Sequence, residues 1–250
     1  MALIMEIPML LLDATVLISV GLALAMFGGG GAIILIPYLT QVAGYPLDEA
    51  VLLSLVTIGI NTGIKTVRER HAIDWKPVLT FSILSFPTAA LSGNFLAPVT
   101  SDTLRMLLFG AFTLTVATLM IYPINKAAFS RKNPLALGIS ALLTGVICGL
   151  IGVGGGIFIA PTLSLFWSTP LKHAVKGSLA IVALQSSAAL LGYLGRGVSV
   201  DPVPLMKMLL LIAAGLFIGK YLKEATSDRN LKSGFAVFLI LIGVWVLLRA

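Results

Sequence analysis

A single cysteine, Cys148, leaves an intrachain disulfide with nothing to join. Two histidines and ten carboxylates are thin material for a metal centre, and His, Cys, Asp and Glu nowhere cluster at ligand spacing. Charge is scarce as a whole: Asp, Glu, Lys and Arg make up 11% of the 250 residues, against about 25% in soluble domains. A water-soluble fold of this length has more surface than so few charges can cover. Disorder is excluded by the same scarcity, since disordered chains are charged and poor in apolar residues. What the chain has in abundance is hydrocarbon. Hydrophobic residues reach 58% and mean hydropathy is +1.04. The apolar runs are long and continuous, whereas outer-membrane strands alternate over about ten residues. The expectation is an all-α integral membrane protein, a single transmembrane domain over residues 1–250 in contact with the lipid bilayer.

The net charge of +7 does not make this a nucleic-acid binder, because the 17 Lys and Arg are spread over short links between apolar runs. Such placement suits orientation by the positive-inside rule. The first charges are Glu6 and Asp13, so no basic region precedes the apolar amino end as it would in a signal peptide. All ten carboxylates, together with His71 and His173, lie at or near the ends of apolar runs or in links. No paired carboxylates and no nucleophile–base couple fall inside a run, so neither catalytic residues, nor a cofactor, nor a buried proton relay is expected.

A spanning helix needs about 20 apolar residues. Runs occur at 10–43, 50–64, 77–99 and 104–121, then at 134–171, 177–194, 202–222 and 234–248. The first and fifth are too long for one span, and both are interrupted by glycines: Gly28-Gly29-Gly30-Gly31 and Gly152-Val153-Gly154-Gly155-Gly156. Each glycine costs about 1 kcal/mol against alanine inside a helix, so each cluster predicts a break between two helical pieces, crossing or re-entrant. The two runs are also copies. A shift of 124 positions lays Gly28 on Gly152, Gly30 on Gly154, Gly31 on Gly155, Ile33 on Ile157 and Pro37 on Pro161. The same shift carries Ala50 onto Ala174, Ser54 onto Ser178 and Asn61 onto the related amide Gln185. Two residues more bring Gly93 onto Gly219, Thr100-Ser101-Asp102 onto Thr226-Ser227-Asp228, and Phe109 and Phe112 onto Phe235 and Phe238. An internal duplication follows, with repeats at 10–124 and 134–250 of four segments each.

Charge counting addresses their orientation. Plain alternation of eight spans, with the 65–76 link inside, puts ten basic residues inside and seven outside. If each long run leaves and returns on one side, the clusters Lys65/Arg68/Arg70/Lys76, Lys126/Arg131/Lys132, Lys172/Lys176 and Lys220/Lys223/Arg229/Lys232 all fall inside. Only Arg105, Arg196, Lys207 and Arg249 are then outside. Positive-inside bias favours this second arrangement, which makes the halves antiparallel, as in the inverted repeats of many secondary transporters.

An unwound backbone in hydrocarbon is tolerated only where protein buries it or a wet cavity receives it. A helix restarting after Gly31 or Gly156 aims free N–H groups and its positive dipole end at what lies in front, which is an anion site needing no side chain. The candidate substrate-binding residues are therefore Gly28, Gly29, Gly30 and Gly31 with Gly152, Gly154, Gly155 and Gly156. Close helix packing is the competing role for such glycines, and Gly145-x-x-x-Gly149 is read that way. A phosphate loop would need Lys then Ser or Thr where Ile157-Phe158 stands, and a dinucleotide fingerprint would need glycine at Ile157. Asn61 and Gln185 can donate to an oxyanion or bond helices together. Ser54 and Ser178, on the same two helices, are candidates that more often bond back to their own backbone. Lys176, one turn into its run, can draw anions into a vestibule or snorkel to the surface.

The segments Gly28-Gly-Gly-Gly-Ala-Ile-Ile-Leu-Ile-Pro37 and Gly152-Val-Gly-Gly-Gly-Ile-Phe-Ile-Ala-Pro161, followed by Ala174-x-x-Gly177-Ser178-Leu179, resemble the sulfite exporter TauE/SafE family of membrane permeases. The resemblance covers essentially the full chain. It implies a multi-pass protein of the plasma (inner) membrane that exports a small sulfur oxyanion: sulfite, a sulfonate or thiosulfate. The first copy departs from the second with Gly29 for Val153 and Ala32 for Gly156. An anion channel and a non-transporting scaffold are the rival readings, and pairing into a homodimer is left open.

Overall fold

The computed structural model describes residues 2–27, 31–121, 133–153, 155–167, 169–199, 201–225 and 228–249. Gly28, Gly29, Gly30, Gly154, Lys126, Arg131, Lys132, Thr226 and Ser227 lie outside the described residues. Among the described residues there is no strand. The helices are α1 (Ala2–Phe27), α2 (Gly31–Pro37), α3 (Leu47–Arg68), α4 (Trp75–Leu91), α5 (Ala97–Val99), α6 (Asp102–Ile121), α7 (Pro134–Ile151), α8 (Gly156–Phe166), α9 (Leu171–Gly195), α10 (Pro202–Ala225) and α11 (Asp228–Arg249). Five helical stretches, Leu47–Arg68, Trp75–Val99, Pro134–Ile151, His173–Gly195 and Pro202–Leu222, are long and apolar enough to cross a membrane. Exposed Leu11, Ile83, Val99, Leu135, Leu210 and Leu248 give the bundle an apolar outside, as a lipid-facing surface requires.

Local chemistry explains where the helices start and stop. Asp74 and Asn133 cap α4 and α7 by accepting from the backbone N–H groups of Lys76 and Ala136. The α3 helix begins after Pro46 with Asp48 and Glu49 in its first turn and ends with Lys65 and Arg68 in its last, each charge complementing the helix dipole. Directly after Pro37, which has no N–H to give, the helix widens into a π turn over Tyr38–Val42. At the second glycine cluster α7 ends on Gly152 (φ 69°), whose N–H bonds to the Cys148 carbonyl, and Gly155 (φ 58°) precedes α8. A side chain at either position would meet the left-handed penalty of about 1–2 kcal/mol. The second long run is therefore broken at 151–156, while in the first Tyr38 returns to Asp13, so the segment after α2 lies back along α1.

Two expectations about the runs need correction. Residues 171–176 form the opening turns of α9, so His173 is helical and does not lie in a link. Pro170, extended at ψ 136°, starts that helix ahead of its apolar stretch, and a hydropathy reading misses a polar first turn. Likewise α1 begins at Ala2, eight residues before the apolar run at 10.

The two halves of the chain do not pack as two separate bundles. In α1 and α10, which run parallel, Asp13 meets Lys207, Gly21 meets Gly215 and Ala25 meets Gly219. In α4 and α7, also parallel, Gly145 lies on Ser85 and Gly149 on Ala89 and Ser92. The α3 and α9 helices are antiparallel: Asp48 faces Arg196, Gly59 faces Ser186 and Glu69 faces Lys176. The α6 and α11 helices are antiparallel too, with Gly110 against Leu247 and Gly243 against Leu114. Helices of the first half thus pair throughout with helices of the second.

These contacts give a first test. A Cβ on Gly149 would fall on the Ala89 carbonyl oxygen and 2.7 Å from the Gly93 nitrogen, both backbone atoms. Gly149→Leu is expected to destabilise the protein by at least about 1–3 kcal/mol, read as a lower unfolding midpoint in detergent. Gly63→Ala, where nothing lies within 4 Å of the added carbon, is expected to leave the midpoint unchanged or raise it.

Candidate functional site

Ile33 near the start of α2 and Gly155, Gly156 and Phe158 at the start of α8 line one narrow crevice with Phe112, Val116 and Val153, closed in this conformation to a sphere the size of water. Its lining side chains are all apolar, and the backbone of Gly155 and Gly156 forms part of its wall. The first hydrogen bonds of α8 run from the N–H groups of Phe158 and Ile159 to the Gly155 carbonyl, 2.8 and 2.9 Å. Amides before Phe158 precede the helical ladder and carry the positive end of the α8 dipole. Of the predicted glycines, Gly155 and Gly156 line the crevice. Gly152 is packed away from it, because a Cβ there would lie 2.8 Å from Val51 Cγ1. Gly31 is packed against α1, where a Cβ would lie 2.8 Å from Leu24 Cγ.

Gln185 is fully buried on α9, and its Nε2 lies 3.3 Å from the Thr144 hydroxyl oxygen. That hydroxyl has one proton, donated to the Ser140 carbonyl at 2.9 Å, so it can only accept from Gln185. The amide orientation is thereby fixed, and Gln185 Oε1 is left without a hydrogen-bond partner among the described residues. Thr144 in turn abuts the second glycine break, with its Cβ 3.7 Å from where a Gly155 Cβ would stand. Gln185, Thr144 and Gly155 therefore form one contiguous string.

The remaining sequence candidates lie elsewhere. Asn61 donates from Nδ2 to the Thr57 carbonyl of its own helix, 2.8 Å, and Ser178 donates to the Val175 carbonyl, 2.8 Å. Ser54 is fully buried on α3, and its hydroxyl has no partner among the described residues. None of these three lines the crevice. Lys176 pairs with Glu69 at 3.7 Å, both side chains about a third exposed, at one end of the α3–α9 pair. Among the described residues no three His, Cys, Asp or Glu side chains gather as a metal ion would need.

Sequence reasoning missed two charge clusters, both at the opposite end from Lys176. Arg105, placed in an external link by the sequence, is only 1% exposed. It contacts Asp48 (2.7 Å) and Asp102 (3.3 Å), donates from Nε to the Leu150 carbonyl (2.8 Å) and from Nη2 to the Tyr193 hydroxyl (2.7 Å). Arg196 closes on the other oxygen of Asp48 at 2.5 Å. The second cluster joins Asp13 on α1 to Lys207 on α10 and to the Tyr38 hydroxyl. Charges so far inside an apolar bundle are expensive and persist only when paired. The spacing of Arg105 three residues after Asp102, opening an apolar run, was the available signal.

A family model described as sulfite exporter TauE/SafE matches residues 14–246. The chain is 27% identical to a probable membrane transporter protein of Methanocaldococcus jannaschii over 96% of this chain and 97% of that one. It is 26% identical to probable membrane transporter proteins of Haemophilus influenzae (92% of this chain, 94% of that one) and of Xylella fastidiosa strain 9a5c (92% of each). No solved structure matches the chain.

Proposed function

Since the chain belongs to the sulfite exporter TauE/SafE family and its relatives are named membrane transporters, we propose that it exports a small sulfur oxyanion of the sulfite, sulfonate or thiosulfate class. The membrane is the plasma (inner) membrane, and the anion is held at the two glycine breaks. The observation that carries this reading is the second glycine break, where left-handed Gly155 leads into α8 and its backbone, with that of Gly156, walls a crevice that Ile33 of α2 also lines. Oriented N–H groups in a place dry on its other sides attract a negative solute strongly, because little water competes. Gln185 does not line the crevice and stands behind it, bonded to Thr144, which abuts Gly155. Asn61, Ser54, Ser178 and Lys176 stand further off, and their share in the path is limited to its approaches.

The halves 10–124 and 134–250 act as inverted repeats in this proposal. Support comes from the antiparallel pairing of α3 with α9 and of α6 with α11, the elements that correspond between halves. The symmetry-related pairs α1–α10 and α4–α7 exchange partners between the halves. Moving the unit built on α1 and α10 against the unit built on α4 and α7 then exposes the crevice alternately to each side. With the cytoplasm negative, each exported charge gains about 2.3 kcal/mol per 100 mV, which drives a divalent anion outward without a coupling ion.

The test is sulfite efflux from proteoliposomes under an inside-negative potential. Gly155→Leu puts a branched side chain at φ 58° into the crevice and is expected to cut efflux at least about tenfold, the equivalent of ~1.4 kcal/mol. Gly63→Leu, at an open position, is expected to transport normally. Equal efflux by Gly155→Leu and the unsubstituted protein would refute the glycine-break mechanism.

A further inference from the structure

The Asp48 carboxylate sits between two guanidinium groups, one on each oxygen: Arg105 Nη1 on Oδ1 at 2.7 Å and Arg196 Nη2 on Oδ2 at 2.5 Å. We propose that Arg105 and Arg196 form an oxyanion receptor at this end of the bundle, which Asp48 occupies in the present conformation and from which the transported anion displaces it. The proposal rests on the transport reading for the identity of the anion, and adds a second station on its path.

The two cations are held in place without Asp48, whereas Asp48 has no other anchor among the described residues. Arg105 is fixed from behind by the Leu150 carbonyl and the Tyr193 hydroxyl, and it is 1% exposed. Arg196 lies 5.1 Å above the Tyr193 ring and 3.4 Å from the Gly93 carbonyl. Tyr193 passes its own proton to the Leu150 carbonyl at 3.3 Å, so it is a positioning residue and offers nothing to an anion directly. The Asp48 side chain is 29% exposed and stands in the first turn of α3, where a change of rotamer releases it to water. A fixed pair of planar donors facing a movable carboxylate is the geometry for recognising a tetrahedral or pyramidal oxyanion, two oxygens at a time.

Charge makes the exchange competitive. Asp102, 72% exposed, also reaches Arg105 at 3.3 Å, so two carboxylates already balance two guanidinium groups. A further anion is accepted only as Asp48 leaves. The site also connects with the crevice. Leu150, which holds Arg105, lies two residues before Gly152, and Gly152 packs on Val51, one turn into α3 from Asp48. Departure of Asp48 thus loosens the helix end that borders the glycine break.

The test uses the full chain in detergent, with sulfite, sulfate and chloride as probes at equal ionic strength. Asp48→Asn removes the internal occupant and lowers the unfolding midpoint. Millimolar sulfite or sulfate is expected to restore about 2–4 °C or more, and chloride is not. Adding Arg196→Gln is expected to abolish the rescue. A midpoint that no anion restores, or a rescue that survives Arg196→Gln, overturns the proposal. If Asp48→Asn does not fold, Arg196→Gln alone serves. In proteoliposomes its KM for sulfite presented from the Asp48 side rises about tenfold with the maximal rate retained, and an unchanged KM overturns the receptor. The two readings fail separately. Anion rescue without any flux leaves the receptor and sinks the transport reading, while flux without rescue does the reverse.

Discussion

Arg105→Leu is expected to destabilise the protein by about 3–5 kcal/mol, the usual consequence of removing one member of a buried ion pair. The loss has several parts that act together. Arg105 serves four partners on four elements: Asp48 on α3, Asp102 in its own first turn, the last carbonyls of α7 through Leu150, and Tyr193 on α9. Leucine fills part of the volume and satisfies none of them. Arg105→Lys keeps the charge but cannot fork between Leu150 and Asp48, so it is expected to recover only a minor part of the loss. Thermal unfolding in detergent reads both. An Arg105→Leu midpoint equal to that of the unsubstituted chain would mean the cluster is ornamental, and the receptor would fall with it.

A cross-link between α3 and α9 is expected to bring sulfite efflux down to the background of empty liposomes. A Cβ on Gly59 would stand 3.1 Å from the Ser186 Cβ, a few tenths of an ångström short of the 3.5–4.5 Å range, about 3.8 Å on average, that a disulfide spans. Gly59→Cys with Ser186→Cys therefore needs only a slight spreading of the helices. The native Cys148 is fully buried on α7 and stays out of the exchange. Oxidation ties α3 to α9 and blocks the sliding and rotation between them that alternating access requires, and reductant restores the flux. A channel held open would conduct through the same bond, so persistent flux in the oxidised protein would replace the carrier reading with that rival.

How much of this was legible beforehand follows from what sequence patterns can carry. The second glycine cluster disclosed a break, because glycine's cost in a helix is local, and α7 and α8 part where Gly152–Gly156 stand. The duplication pointed to Asn61 and Gln185 together, and the two differ: Asn61 bonds back to its own helix at Thr57, while Gln185 bonds across to Thr144. The exchange of partners, α1 with α10 and α4 with α7, was not legible. Gly21 and Gly215 look like any small residues in an apolar run until their backbones touch. Gly152 was taken for an anion contact by composition, yet Val51 occupies the space before it. The Asp48–Arg105–Arg196 cluster was missed for a physical reason. Charges at the end of an apolar run look solvated, and partners 57 and 148 positions apart leave no mark on local periodicity.

Amide hydrogen exchange in the presence of saturating sulfite probes the bare backbone donors most directly. Exchange is expected to slow in peptides covering 152–158 and, by the duplication, 28–34, with the remaining helices unchanged. Sulfite that is transported while leaving exchange in both segments unaltered would show that the anion travels by another route, and the account built on the glycine breaks would be wrong.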